Sequence, residues 1–445
     1  MSSTKSDITH VAFVHDWLYH MWWAEAVFLE LIDNQLKAHD KSSRHPECDA
    51  SLVPKGNEGS IDEHSWLIVT DTVYMDPSSL QSSGWQECYK IFTLFSNKKS
   101  LEVWWHELEI VAALPAWMFA IFRYFEKHRI PVLSKFFDYR NLMFFYPILV
   151  RILRRKVQQF SPDEILVSSF AAVKNVLPKV AESWKLSNSE SLRREKAKSV
   201  LYLHSPIQYV RDYYEDNVSK LKFPIKQLYQ LITPVLRRWD KTPRDYDTIY
   251  YNSNYTKQAA QRLYGRNHGE VQYPTIHPHY LDIKQELSQN QNYYIFIGRL
   301  VRFAKELDLI IRLCNHAGDK LIVMWSGPDE QYLRSIAWPT IEFVGQVNDI
   351  DKKMKLLWRS SGLINITRES FGMVTAEALC LWVPVFGYNE WGSVELVDEQ
   401  SGILISNKKL DHVIEQWEIF KTKKWDREFI SARGSQLVGC QDGLK

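Results

Sequence analysis

From residue 293 to residue 405 the chain alternates short apolar runs with amphipathic ones, and no other feature restricts its fold as much. Tyr293–Ile297, Lys320–Trp325, Ile341–Val344, Gly362–Ile366, Val383–Phe386 and Gly402–Ile405 read as strands. Lys305–Asn315, Glu330–Ile336, Lys352–Arg359 and Thr375–Cys380 read as the helices between them. Strand, helix and strand in succession close a parallel sheet whose faces the helices cover. The first half repeats the pattern less regularly. Val11–Val14, Trp66–Thr70, Ile165–Ser168, Val200–Leu203 and Thr248–Tyr251 read as strands, with helical patterns over 24–33 and up to Tyr264. Residues 40–62 are polar, rich in turn formers, and read as a surface loop. The stretch 100–158 reads as mostly helical, aromatic and basic.

A chain of 445 residues holds two or three domains at about 100–200 residues each. The polar, proline-containing segment VQYPTIHPHYLDIKQELSQNQN reads as the linker between two halves. The expected architecture is α/β, two Rossmann-like domains whose parallel sheets face a central cleft. Residues 1–280 form the first, with a helical insertion around 95–158, and residues 281–445 the second. Ligands of such sheets lie beyond the carboxyl ends of the strands. The net charge of +2 gives no global field for nucleic acid. Five scattered cysteines without a CxxC pair argue against a disulfide framework or a zinc site, and for a reducing compartment. The polar amino terminus and the lack of a run of ~18 apolar residues point to a soluble, cytoplasmic protein.

Chemistry concentrates in Arg368-Glu369-Ser370-Phe371-Gly372-Met373-Val374-Thr375-Ala376-Glu377, which follows the apolar run LINIT and opens a helix. Placed on one helix, Glu369 and Glu377 stand about 12 Å apart along the axis and about 80° around it. Such a pair can hold two ends of an extended ligand while free amides at the helix start receive a diphosphate. The plainer reading is two glutamates that favour a helix amino terminus. Arg299 and Lys305 follow the strand at 293–297 and would stabilise charge on a leaving diphosphate, although cations after a strand are often simply solvated. Gly345 closes another strand, where a missing side chain lets a flat base approach. His204 follows Val200–Leu203 and could bond a sugar hydroxyl, or be structural. Residues 136–160 set aromatics beside Arg140, Arg151, Arg154, Arg155 and Lys156, which suits either a core helix with a basic solvent face or peripheral contact with an anionic membrane.

The Glu369-x7-Glu377 spacing with Phe371-Gly372 inside it resembles the signature of family-4 retaining glycosyltransferases, enzymes of GT-B fold. The resemblance implies that Glu369 touches the donor sugar and Glu377 the ribose diol. It implies that Phe371, Gly372, Met373 and Val374 present amides to sugar and diphosphate, that Arg299 and Lys305 clamp the diphosphate, and that Gly345 and Val347 line the nucleobase pocket. The segment LHSPIQYVRDYYED resembles the corresponding part of O-antigen-type mannosyltransferases, with His204 beside the sugar. Gln208 and Arg211 stand where that subgroup usually has Arg and Trp. The resemblance implies hexose transfer, with mannose indicated, from a GDP- or UDP-linked donor to a glycan or lipid-linked acceptor in cell-surface polysaccharide synthesis. No cofactor and no metal is expected. A nucleotide-sugar epimerase or a non-catalytic binding protein is the alternative.

Tryptophan and glycine each occur 17 times, whereas glycine is usually about 7% of residues. Trp22, Trp23, Trp325, Trp338, Trp382 and Trp391 stand where the family has glycine at tight turns or close approaches to phosphate. One cause covers all six: UGA codons translated as Trp in a gene whose organism reads them as Gly. Real tryptophans in a diverged enzyme are the other reading.

Overall fold

The computed structural model describes residues 10–15, 32, 88–93, 100–103, 106–113, 144–177, 197–221, 223–240, 246–265, 268–276, 280, 292–301, 305–347 and 349–438. The chain divides into two compact units, Met1–Tyr251 with Thr256–Glu270, and Asn252–Tyr255 with Val271–Lys445. The division falls about ten residues before the expected boundary at 280.

In the first unit the described elements are β1 (His10–His15), β2 (Cys88–Thr93), β3 (Ser100–Val103), β4 (His106–Ala112), α1 (Tyr146–Phe160), β5 (Glu164–Ser169), β6 (Lys198–Leu203), α2 (Tyr214–Lys220), α3 (Ile225–Trp239), β7 (Thr248–Tyr251), α4 (Asn254–Tyr264) and β8 (Glu270–Val271). They form one sheet in the order β3-β4-β2-β1-β5-β6-β7-β8. β3 runs antiparallel to β4, and the pairings from β4 through β7 are parallel. β1 is buried along Val11–Val14 and β5 from Ile165 onward, a continuous apolar run of the kind that two covered faces require. The expected strands at 11–14, 165–168, 200–203 and 248–251 are present. The helix at 24–33 (apart from Ile32), the loop at 40–62 and the strand at 66–70 fall outside the described residues.

The expected helical insertion is corrected over Ser100–Val103 and His106–Ala112, which form the strands β3 and β4. In HELEIVA the residues Leu108, Ile110 and Ala112 alternate with their neighbours, a period of two that the surrounding aromatic and basic residues obscure. The basic stretch resolves into α1, whose Tyr146, Leu149, Val150, Leu153 and Val157 are buried. Arg154 donates to the carbonyls of Val176 and Asn175 (2.9 and 2.8 Å), and Lys156 to that of Ala112 (2.6 Å). Those two cations tie the helix into its own unit, as the core-helix reading requires.

The first unit also buries an ion pair. Lys174 Nζ lies 3.0 Å from Asp240 Oδ1, both side chains wholly inaccessible. Tyr264 donates to Asp240 Oδ2 (2.9 Å) and Asn175 to Oδ1 (3.4 Å), while Lys174 also donates to the Ala171 carbonyl. The segment Arg237-Arg238-Trp239-Asp240 is thus structural, and Asp240 is its buried anchor.

The second unit contains β9 (Tyr294–Ile297), α5 (Leu307–Ala317), β10 (Leu321–Met324), α6 (Glu330–Ile336), β11 (Ile341–Gly345), α7 (Ile350–Trp358), β12 (Gly362–Asn365), α8 (Met373–Cys380), β13 (Val385–Tyr388), α9 (Ser393–Leu396), β14 (Gly402–Ile405), α10 (Leu410–Thr422) and α11 (Arg427–Val438). Its sheet runs β11-β10-β9-β12-β13-β14 with parallel pairings, the 3-2-1-4-5-6 order of a dinucleotide-binding sheet. The order reverses between β9 and β12, so the loops after these two strands flank the crevice where such sheets bind ligands. The core packs Phe296, Ile310, Leu313, Val323, Ile364 and Phe386 with Trp417 and Phe420. Trp417 stacks on Phe420 with centroids 5.3 Å apart, and its indole N–H donates to Asp319 Oδ2 (2.8 Å). Gly318 ends α5 in the left-handed conformation (φ 68°) that closes a helix without a Cβ penalty.

Lys174→Met should leave Asp240 buried without its ammonium and cost about 3 kcal/mol, the low end for breaking a buried pair because Tyr264 and Asn175 still bond the carboxylate. Denaturant unfolding measures it; a loss below about 1 kcal/mol would show that the pair is not what anchors Asp240.

Candidate active site

The site is assembled at the β9/β12 reversal. β9 ends at Ile297, and Gly298 donates its N–H to the Met324 carbonyl (3.2 Å), turning the chain out at half-buried Arg299. Lys305 follows just before α5. Beyond β12, Glu369 lies in the loop that ends at Gly372, the residue that starts α8 with φ 105°. The expectation that both glutamates stand on one helix is therefore corrected. A glycine with positive φ starts α8, so the helix holds Glu377 and not Glu369.

The Lys305 ammonium is ion-paired with Glu369 Oε1. Asn365, the last residue of β12, donates through Nδ2 to Glu369 Oε2 (3.3 Å) and to Thr375 Oγ1 (3.0 Å), while Thr367 donates to Asn365 Oδ1 (2.6 Å). Burial pushes the Glu369 carboxyl up, but Lys305 and then Asn365 outweigh it, so its pKa lies below the ordinary value. The group is ionised at neutral pH and fixed at both oxygens.

Glu377 is 4% exposed on α8. Lys353 on α7 lies 2.9 Å from Oε1 and 2.8 Å from Oε2. The buried Tyr280 hydroxyl sits against the same carboxylate, and burial first, then Glu377, raises its pKa well above the ordinary phenol. Sequence reading misses Lys353, Tyr280 and Asn365. Asn365 carries a signal, a polar residue inside the apolar run LINIT; Lys353 and Tyr280 carry none, because each reaches Glu377 only through tertiary packing.

Phe371 and Val374 are buried at the start of α8, and Phe371 packs on Tyr273 with centroids 5.3 Å apart. Met373 and Val374 follow Gly372 in the first turn, where amides have no intrahelical acceptor. Gly345 ends β11 with φ 74° and empty space where a Cβ would be, so its glycine answers a backbone demand; Val347, just beyond, is buried. The Glu395 carboxylate accepts from the Asn254 and Tyr255 amides (2.8 and 2.7 Å) and from Tyr273 (3.1 Å), which attaches residues 252–255 to the second unit.

His204 belongs to the first unit, not to this cluster. It follows β6, is 8% exposed, and its Nε2 is 2.9 Å from Ser168 Oγ. Tyr202 and Phe170 meet its ring edge-on at 5.0 and 6.4 Å. Among the described residues no group of His, Cys, Asp and Glu is arranged to hold a metal ion. Among them, too, no helix is long and apolar enough to cross a membrane.

Residues 281–434 match the family described as glycosyl transferases group 1. The second unit is a glycosyltransferase domain. Solved structures agree on the fold. WaaG, described as a glycosyltransferase involved in lipopolysaccharide biosynthesis, superposes with a TM-score of 0.58 at 11% identity over 97% of this chain and 96% of its own. The sucrose-phosphate synthase of Thermosynechococcus elongatus gives 0.56 at 12% identity over 97% and 95%. Anabaena Alr3699/HepE in complex with UDP and glucose gives 0.55 at 13% identity over 97% and 95%. Both units thus have the α/β sheets of the GT-B class. No curated protein sequence matches this chain.

The Lys305–Glu369 pair has a definite pH signature. The folded pKa of Glu369 is depressed, so its stabilisation is present above the unfolded value of about 4.3 and lost as pH falls through the folded value. The stability gap between the wild type and Glu369→Gln should be constant from pH 7 to about 5 and shrink below about 4. Denaturant midpoints across that range test it; a gap that widens on acidification would contradict the pairing.

Proposed function

We propose that this protein is a retaining hexosyltransferase that uses a GDP- or UDP-linked donor, with mannose the indicated sugar, and a glycan or lipid-linked acceptor in cell-surface polysaccharide synthesis. The observation that carries the reading is the Lys305–Glu369 pair at the sheet reversal, beside the free amides of α8. The Anabaena structures, described as complexes with UDP, with UDP-glucose and with UDP and glucose, support a nucleotide-sugar donor, and the lipopolysaccharide role given for WaaG supports a polysaccharide product.

In this reading Arg299, Lys305 and the first-turn amides of Met373 and Val374 receive the diphosphate. Glu377 holds the ribose diol, and Gly345 and Val347 border the base. Glu369 accepts from donor-sugar hydroxyls near the anomeric carbon. The bond from that carbon to the diphosphate oxygen breaks, and Arg299 and Lys305 stabilise the charge left on the diphosphate. An acceptor hydroxyl attacks from the same face and gives its proton to the departing phosphate oxygen, so the configuration is retained. In the same reading His204, its ring set by Ser168, takes part in orienting the sugar. The two cations supply the charge a divalent metal would otherwise bring. Arg151 and Arg155 are exposed on α1 beside Phe145 and Ile148, which is what supports peripheral contact with an anionic membrane for 136–160.

Arg299→Ala and Lys305→Ala should each lower kcat/KM by about 10²–10³, as loss of one transition-state donor does, and EDTA should leave wild-type transfer unchanged. Near-normal transfer by both variants, read as product formation from labelled GDP- and UDP-sugars, would remove the clamp.

The two glutamates should separate kinetically. Glu377→Gln should mainly raise the donor KM, since a ribose contact is the same in ground and transition states. Glu369→Gln should mainly lower kcat, by on the order of 10². The reverse pattern would exchange the roles.

A further inference from the structure

Trp325, Trp382 and Trp391 have backbone φ of 110°, 63° and 59°. A bulky side chain at positive φ is a steric outlier, and φ near 110° lies beyond even the left-handed helical region. The other non-glycine residues with positive φ among those described are Ser161, Asn292 and Glu306, all polar. We infer that positions 325, 382 and 391 are glycine positions, and that the protein made in its own host carries glycine there, encoded by UGA.

Each position is a joint of the second unit where hydrogen bonds fix the backbone. Trp382 is the residue after the α8 cap. Val383 donates its N–H to the Ala378 carbonyl (2.9 Å) and Trp382 to that of Leu379 (3.0 Å). Those are the two bonds of a Schellman motif, whose left-handed residue is usually glycine. Trp325 leaves β10 with its N–H on the Gly345 carbonyl (2.7 Å), and Leu300 donates to the Ser326 carbonyl (3.1 Å). At the neighbouring Gly327 a Cβ would clash with the Leu300 backbone, so this turn lies directly on the loop that bears Arg299. Trp391 precedes Gly392, which donates to the Glu369 carbonyl (3.0 Å) and leaves no room for a Cβ, since one would run into the Phe371 carbonyl. All three turns therefore border the loops or helix that present Arg299, Glu369 and Glu377.

All three side chains are half-buried, and partial burial does not remove the steric cost of a Cβ at positive φ. Trp391 stacks on Tyr255, with centroids 4.7 Å apart. Trp417 shows what a tryptophan position looks like in this unit: fully buried, indole N–H bonded to Asp319, and φ not positive. Trp338, grouped with these in the sequence, does not have a positive φ and is left out; Trp22 and Trp23 fall outside the described residues.

The inference rests on backbone conformation and is independent of the reaction proposed above. The gene should carry UGA at 325, 382 and 391, with UGG at 417. Peptide mass spectrometry of the protein purified from its host should find glycine at the first three. Two triple variants isolate the physical cause. Trp→Ala at 325, 382 and 391 removes the indoles but keeps Cβ, whereas Trp→Gly removes both. The glycine triple should melt about 5–10 °C above the alanine triple. UGG codons at the three positions, tryptophan in the peptides, or an alanine triple as stable as the glycine triple would overturn the inference.

Discussion

The second unit depends on one electrostatic contact made across a topological reversal. β9 and β12 are adjacent in the sheet although far apart in sequence, and the chain leaves both at the same edge. The loop after one carries a cation and the loop after the other an anion, and the Lys305–Glu369 pair joins them. Because the pair is part-buried, its removal from water must be offset by good geometry and further bonds. Asn365 supplies one of these from the end of β12, and Thr367 holds Asn365 in turn. The carboxylate is thus oriented from rigid strand ends, the condition under which a polar group can act on a substrate without reorganising.

Glu377 obeys the same constraint more strictly, being almost wholly buried. An ionised carboxylate has about four acceptor positions. Lys353 spans both oxygens of Glu377, and the Tyr280 hydroxyl lies against the same carboxylate. Glu369 is likewise held at both oxygens, by Lys305 on one and Asn365 on the other.

How much of this is legible in the sequence depends on how local each signal is. The strands of the second unit are readable because a doubly covered parallel sheet demands unbroken apolar runs, as in LIVM at 321–324. Glu369, Glu377, Arg299 and Lys305 are readable because they occupy loop and helix positions fixed by nearby glycines. Lys353 and Tyr280 are not, since their relation to Glu377 exists only after α7 packs beside α8. The placement of Glu369 on the helix fails for a local reason: Gly372 at φ 105° interrupts the backbone between the two glutamates. The strands Ser100–Val103 and His106–Ala112 are hidden because their period-two pattern spans few residues beside a strongly aromatic and basic stretch.

The strained joints bear on the same geometry. A turn with positive φ reverses the chain in few residues, and that lets the 325–328 turn lie on Leu300 and the 391–392 turn on Phe371. Both contacts are backbone on backbone at distances that exclude a Cβ, so the loops carrying Arg299 and Glu369 are braced by main chain and not by adaptable side chains. Bracing of this kind gives a loop a fixed shape that does not depend on any ligand. It also makes the loops depend on residues that never touch a substrate. At 382 the dependence is one step further removed: the left-handed residue closes α8, and α8 carries Glu377. A side chain that disfavours positive φ at any of the three positions therefore acts on the site through backbone geometry, although none of the three belongs to the cluster of charged groups itself.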